Sequence, residues 1–149
     1  MIEGVEKIVI NLPATAEYVD IVRLNLYGIA SKMGFSYEEI EDMKVAVSEA
    51  CNNSVLYAYK EPGMIEVTFE ILNDALSITV RDEGESFEPW GASGERVTLH
   101  EKELSEAPIG GLGFYLMQAL MDDVSVESDA GRGTKVMMTR RLQNSGENV

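Results

Sequence analysis

The run Asp42-Met43-Lys44-Val45-Ala46-Val47-Ser48-Glu49-Ala50-Cys51-Asn52-Asn53-Ser54-Val55 decides how the chain folds. At about 100° per residue, Ile40, Met43, Val47, Ala50 and Ser54 share one apolar or small stripe, which predicts an amphipathic helix. Glu49 and Asn53, four residues apart, stand together roughly 100–140° from the centre of that stripe. Core packing does not call for either of them there. A carboxylate takes up a proton and an amide oxygen holds a hard cation, so work on a phosphate with magnesium is one use for the pair. Two solvated residues on a helix flank are the plainer one.

Working outward, Ser36-Tyr37-Glu38-Glu39 has the form of a capping box and starts this helix near Tyr37, from where it should run to about Tyr59. Upstream, Val5 to Leu12 alternates loosely as a strand closed by Pro13. Thr15 then caps a helix over Ala16–Met33, where Val19, Val22, Leu26, Ile29 and Met33 recur at helical spacing and Gly34 ends the run. Downstream, Glu61-Pro62-Gly63 is a turn. Ile65, Val67, Phe69 and Ile71 alternate with Glu66, Thr68 and Glu70 as a half-buried strand. After Asn73-Asp74, Leu76, Ile78 and Val80 form its hairpin partner, ending at Asp82-Glu83-Gly84. Periodicity disappears from Glu85 to Pro108, a loop of a length that is usually functional and often a lid. Ile109-Gly110-Gly111-Leu112-Gly113 precedes a short helix over Phe114–Met121. A strand (Val124, Val126), the turn Ala130-Gly131-Arg132-Gly133 and a last strand from Thr134 follow. This order predicts an α+β two-layer sandwich, with helices on one face of a mixed, mostly antiparallel sheet whose other face is half polar. Residues 1–142 form one domain, and 143–149 read as a frayed C-terminal tail.

The balance of 26 acidic against 12 basic residues, net −14, excludes a nucleic-acid or anionic-membrane surface. An anionic ligand must therefore be held by backbone N–H groups and a metal. No apolar run approaches bilayer length and the first residues do not resemble a signal peptide, so a cytoplasmic protein is expected. Cys51, the single cysteine, reads as a small buried hydrophobe.

Three short segments then carry weight in combination. Gly110-Gly111-Leu112-Gly113 before a helix lets backbone approach a ligand, and free N–H groups at the helix start bind phosphate. No strand precedes it and no Lys-Ser/Thr follows, which excludes a dinucleotide fingerprint and a P-loop. Asp82 with Gly84 offers a carboxylate for an exocyclic amine and a flat approach for a ring. Gly131-Arg132-Gly133-Thr134 places a threonine where it can bond the edge of a base.

Glu-x-x-x-Asn on a helix, Asp-x-Gly at a strand end, a long loop, Gly-x-Gly before a helix and Gly-x-Gly-Thr entering a final strand together resemble the boxes of the GHKL (Bergerat-type) nucleotide-binding superfamily. Longer strings narrow the likeness. Glu17–Leu24, Val47-Ser48-Glu49-Ala50-Cys51, Ala58-Tyr59-Lys60, Asp82–Phe87 and Gly110–Met117 resemble the bacterial anti-sigma serine-protein kinases of that superfamily over nearly the whole chain. The resemblance implies a homodimeric, ATP- and Mg²⁺-dependent kinase. Such a kinase phosphorylates an anti-anti-sigma antagonist on serine and sequesters an RNA polymerase sigma factor of the sigma-B type, without contacting nucleic acid or membrane itself. It implies Glu49 as general base, Asn53 as Mg²⁺ ligand, Asp82 and Gly84 at the adenine, Gly110, Gly111, Leu112 and Gly113 around the phosphates, and Thr134 near the base. Arg23, on the first long helix, is a candidate partner contact. Ser86 stands where a full first glycine box has its second glycine. His100 matches no phosphoacceptor box, which argues against a histidine autokinase. A non-catalytic nucleotide-binding anti-sigma module and a clamp-type ATP hydrolase are the alternatives.

Overall fold

The computed structural model describes residues 6–53, 63–82, 111–129 and 133–142. Within them the chain forms β1 (Glu6–Pro13), α1 (Ala16–Met33), α2 (Tyr37–Asn53), β2 (Met64–Ile71), β3 (Ala75–Asp82), α3 (Gly111–Leu120), β4 (Asp123–Asp129) and β5 (Gly133–Arg141). The strands make one sheet in the order β1-β2-β3-β5-β4. All four pairings are antiparallel, so the parallel component expected of a mixed sheet is absent among the described residues. The reason is the order itself. β3 and β4 run the same way, but β5 inserts between them and pairs with both.

Helix boundaries follow from their end groups. α1 closes at Gly34, whose φ of 103° is left-handed and costs only glycine nothing. Gly34 N–H reaches Ala30 and Ser31 carbonyls, and Phe35 N–H reaches Ala30 O at 3.1 Å, which together form a Schellman closure. Thr15 occupies the N-cap as expected, yet its side chain caps nothing. Tyr18 N–H bonds the Thr15 carbonyl instead. At α2 the capping box forms in both directions: Ser36 N–H donates to Glu39 Oε1 at 2.8 Å, and Glu39 N–H donates to Ser36 Oγ at 3.1 Å. The expected continuation of α2 to Tyr59 lies outside the described residues, as do the lid and the C-terminal tail.

α2 is the middle helix. It packs against α1 on one flank and α3 on the other and lies over β3, the central strand. Its buried arc is therefore wider than the stripe its periodicity predicts. Ala46, Ser48, Cys51 and Asn53 are buried along with Ile40, Met43, Val47 and Ala50. Beneath it the register stacks Val67, Val80 and Val136, then Phe69, Ile78 and Met138, across three strands. These side chains join Leu26, Phe114 and Met117 in the core. Each large apolar side chain fully removed from water contributes about 1.5–3 kcal/mol. The opposite face carries Lys7–Glu70 and Lys135–Glu127 ion pairs and a Thr139–Ser77 hydrogen bond, the polar face expected from the alternation.

One side chain ties the layers together. Arg140 on β5 donates from Nη1 to Leu120 O, at the end of α3, at 2.7 Å. It also lies 3.9 Å from Glu39 and 3.7 Å from Asp42 on α2, with its side chain only 18% exposed. Arg140→Met should lower unfolding free energy by about 1–3 kcal/mol, because a part-buried carbonyl and two carboxylates lose their charged donor. Arg141→Met, whose partner Asp123 is as exposed as itself, should change it by less than about 0.5 kcal/mol. Urea titration of both variants checks the contrast.

Candidate functional site

Every sequence-predicted site residue within the described segments lies on α2, at the start of α3, or at one end of the β3–β5 ladder. The alternation that puts Ile78 and Val80 in the core puts Asp82 on the same face, opposite both Ile65 and Thr134. Asp82 is only 3% exposed and Thr134 only 4%. An apolar row thus ends in a buried carboxylate. Its Oδ1 accepts the Thr134 backbone N–H at 3.3 Å, so the strand pairing itself fixes the carboxylate. Gly133, just before, has a φ of 106°, a conformation that favours glycine where the chain enters β5. Thr134 Oγ1 is buried and has no hydrogen-bond partner among the described residues. A buried hydroxyl left unpaired costs about 1–3 kcal/mol, which a base edge bonded there would relieve.

On α2, Glu49 is half-buried and Asn53, one turn on, is only 6% exposed. The carboxamide was expected on a helix flank. It is inside, on the wide buried arc that two flanking helices give α2. Its Nδ2 is buried and has no partner among the described residues. An unpaired buried N–H donor at this place fits a ligand that brings acceptor oxygens, such as a phosphate. For Mg²⁺ the fit is partial but chemically sound. No group of three or more His, Cys, Asp or Glu side chains is placed to hold a metal among the described residues. An amide oxygen would thus be one ligand, with phosphate oxygens and water supplying the rest, the usual arrangement for this ion.

The glycine segment differs from its expected place. Gly111, Leu112 and Gly113 do not precede the helix but form its first turn. Helix N-termini leave their first N–H groups unspent within the helix, so this turn retains the donors that suit phosphate. Leu112 is 75% exposed. Gly113 is buried against Glu49. Gly84 and Gly110 lie outside the described residues, as do Ser86 and His100. The structure therefore brings Glu49 to the start of α3 and Asp82 to Thr134. α2, with Asn53 one turn beyond Glu49, lies against the strand that carries Asp82.

Two neighbours of this site were not legible as such in the sequence. Arg23, expected as a partner contact, is engaged within the molecule: Nε donates to Ser48 Oγ at 2.7 Å and Nη1 pairs with Asp20. Ser48 Oγ in turn donates to Lys44 O at 2.6 Å. The residue before Glu49 is thus tied to α1. Arg23 and Ser48 are 25 positions apart, so no local pattern signals their bond. Cys51 lies fully buried on the same helix, and burial pushes its thiol up to about 12 against an opposing pull from Arg23.

A raised thiol value in the folded state means that the unfolded chain ionises first. Stability linked to Cys51 is intact below pH 9 and is lost as pH rises from about 9 towards about 12, at up to about 1.4 kcal/mol per pH unit. Cys51→Ala should flatten the stability profile over that window. In the native protein at pH 8, the thiol should react with a disulfide reagent only as fast as the chain opens, which stopped-flow thiol titration measures.

A family model for the histidine kinase-like ATPase domain matches residues 12–140. Serine-protein kinase RsbW of Bacillus cereus (strain Q1) is 44% identical over 146 residues, which take in 96% of this chain and 89% of that one. The same figures hold for serine-protein kinase RsbW of Bacillus mycoides (strain KBAB4). Among solved structures, the RsbU and RsbW domains of a Mycobacterium tuberculosis protein match with a TM-score of 0.64 at 24% identity. That match covers 92% of this chain and 32% of that one, and is a likeness of fold.

Proposed function

The chain belongs to the RsbW family of serine-protein kinases, with a histidine kinase-like ATPase domain, and from that premise we propose how its own residues perform and use the transfer. ATP lies with its base at the buried end of the β3–β5 ladder and its phosphates at the first turn of α3. Asp82 accepts from the exocyclic amine, Thr134 Oγ1 bonds the base edge, and Gly84 lets the ring lie flat. Backbone N–H groups from Gly110 to Gly113 hold the phosphates. Asn53 contributes an amide oxygen to Mg²⁺. When bound, Mg·ATP supplies the phosphoryl group and the neutralisation of its charge. The chain supplies position, a closed environment and a proton acceptor, which is most of what phosphoryl transfer requires.

The observation that carries the reading is the packing of Glu49 against the first turn of α3, since it sets a carboxylate beside the place where phosphates would be held. There Glu49 would take the hydroxyl proton from the antagonist's serine as that oxygen attacks the terminal phosphorus and the bond from that phosphorus to the β-phosphate oxygen breaks, leaving phosphoserine, ADP and a protonated Glu49. The acceptor is an anti-anti-sigma antagonist, and the same chain, as a homodimer in the cytoplasm, sequesters a sigma factor of the sigma-B type. Support for protein partners is a surface feature: Tyr18, Ile21, Leu24 and Tyr27 are exposed along the outward side of α1. No helix among the described residues is long and apolar enough to cross a membrane.

Glu49→Gln should leave ATP affinity within about twofold and lower phosphate transfer to the antagonist about 10²–10⁴-fold. Labelled ATP and the purified partner measure this. Unchanged transfer would remove Glu49 from its role, and free phosphate without labelled protein would favour a hydrolase. A wild-type chain that binds ATP but labels nothing would favour a nucleotide-binding module. Asn53→Ala should weaken Mg·ATP binding about 10–100-fold, with a smaller effect on metal-free ATP, as read by calorimetry with and without Mg²⁺.

A further inference from the structure

Gly113 stands in the first turn of α3, where the backbone itself does not ask for glycine. The described glycines with left-handed φ are Gly34 and Gly133, and Gly113 is not among them. In a helix, alanine is the better residue by propensity. The space beside Gly113 tells why it is a glycine. A Cβ there would come 2.6 Å from Glu49 Oε1, 3.6 Å from its Cδ and 3.7 Å from its Cβ. All three nearest atoms belong to one side chain, and the closest is an oxygen of the carboxylate proposed to take the proton.

We propose that Gly113 is a positioning residue for Glu49: its missing side chain leaves the slot in which the carboxylate rests against α3, and so fixes where the proton acceptor stands. The inference rests on Glu49 being the general base. The Gly113 N–H can still face the phosphates; what the proposal assigns to Glu49 is the reason for the missing side chain, and a methyl group that meets phosphate and one that meets Glu49 separate in kinetics. A methyl group that blocks phosphate weakens nucleotide binding whatever stands at position 49. A methyl group that displaces Glu49 spares binding and slows the chemical step. The neighbour that must yield is the free end of a flexible side chain, so Gly113→Ala moves the carboxylate more than it harms the fold. A displacement of about 1 Å in a reacting group can cost about 10²-fold in rate.

The test is a double-mutant cycle on the full chain with Mg·ATP and the purified antagonist. Gly113→Ala should keep the ATP KM within about twofold, lower kcat about 10²-fold, and leave the thermal midpoint unchanged or slightly raised. Glu49→Asp draws the carboxylate back by one methylene and should slow transfer by itself. Adding Gly113→Ala to that background should then cost less than about threefold. An equal loss in both backgrounds would overturn the proposal, as would a raised KM with kcat unchanged, or native kinetics for Gly113→Ala. If Gly113→Ala does not fold, recovery of folding in the double variant supports the same contact, and failure of both overturns it. Glu49→Gln run in parallel keeps the two claims apart. Full activity there would defeat the base assignment itself, whereas loss there with an additive cycle would defeat only the role of Gly113.

Discussion

The rest of the structure depends on α2 being buried on both flanks. A helix lying on a sheet with solvent on either side shows one apolar stripe; α2 lies over the central strand with α1 on one flank and α3 on the other. Its buried arc has to widen, and polar residues on that arc need either partners or a purpose. Ser48 finds partners in Arg23 and the Lys44 carbonyl. Asn53 keeps a buried Nδ2 without a partner among the described residues, and Glu49 lies against the start of α3. The same packing that makes α2 the centre of the fold places Glu49, the proposed proton acceptor, on a helix with neighbours on both sides.

Positioning at this site comes from secondary structure as much as from side-chain bonds. Asp82 is set by the alternation of β3 and by the Thr134 N–H across the ladder, so its place is as rigid as the sheet. Glu49 is set by one helix and confined by another. Arg140 holds the far end of α3 to the beginning of α2, fixing how the two helices lie along one another. Rigid elements place a site more accurately than loops do, which suits a reaction whose acceleration comes mainly from alignment.

Much of this was legible in the sequence because its signals are local. The capping box at Ser36–Glu39, the closure at Gly34 and the alternation of Ile65–Ile71 and Leu76–Val80 each fall within a few residues. The observed elements follow them. Glu49 and Asn53 could be singled out because polar residues stood where packing did not explain them, and Asp82 and Thr134 because each stands at a strand end near a glycine. What the sequence could not show was the filling between elements. The wide burial of α2, the Arg23–Ser48 bond and the reach of Arg140 join residues far apart in the chain, and the absence of a parallel pairing follows from β5 entering between β3 and β4. Gly113 shows the limit most clearly. A glycine near a helix start reads as a phosphate residue, and only the position of the Glu49 carboxylate reveals a second reason for it.

In the proposed complex, nucleotide bridges the buried Asp82–Thr134 end of the sheet and the α2–α3 face. The most direct measurement is a crystal structure with Mg²⁺ and a non-hydrolysable ATP analogue. The expected result is the adenine amine within hydrogen-bonding distance of the Asp82 carboxylate, phosphates at the first turn of α3, the Asn53 amide oxygen on the metal and Glu49 facing the terminal phosphate. A nucleotide bound elsewhere, or one bound here with Asn53 still off the metal and Glu49 turned away from the phosphates, would contradict it.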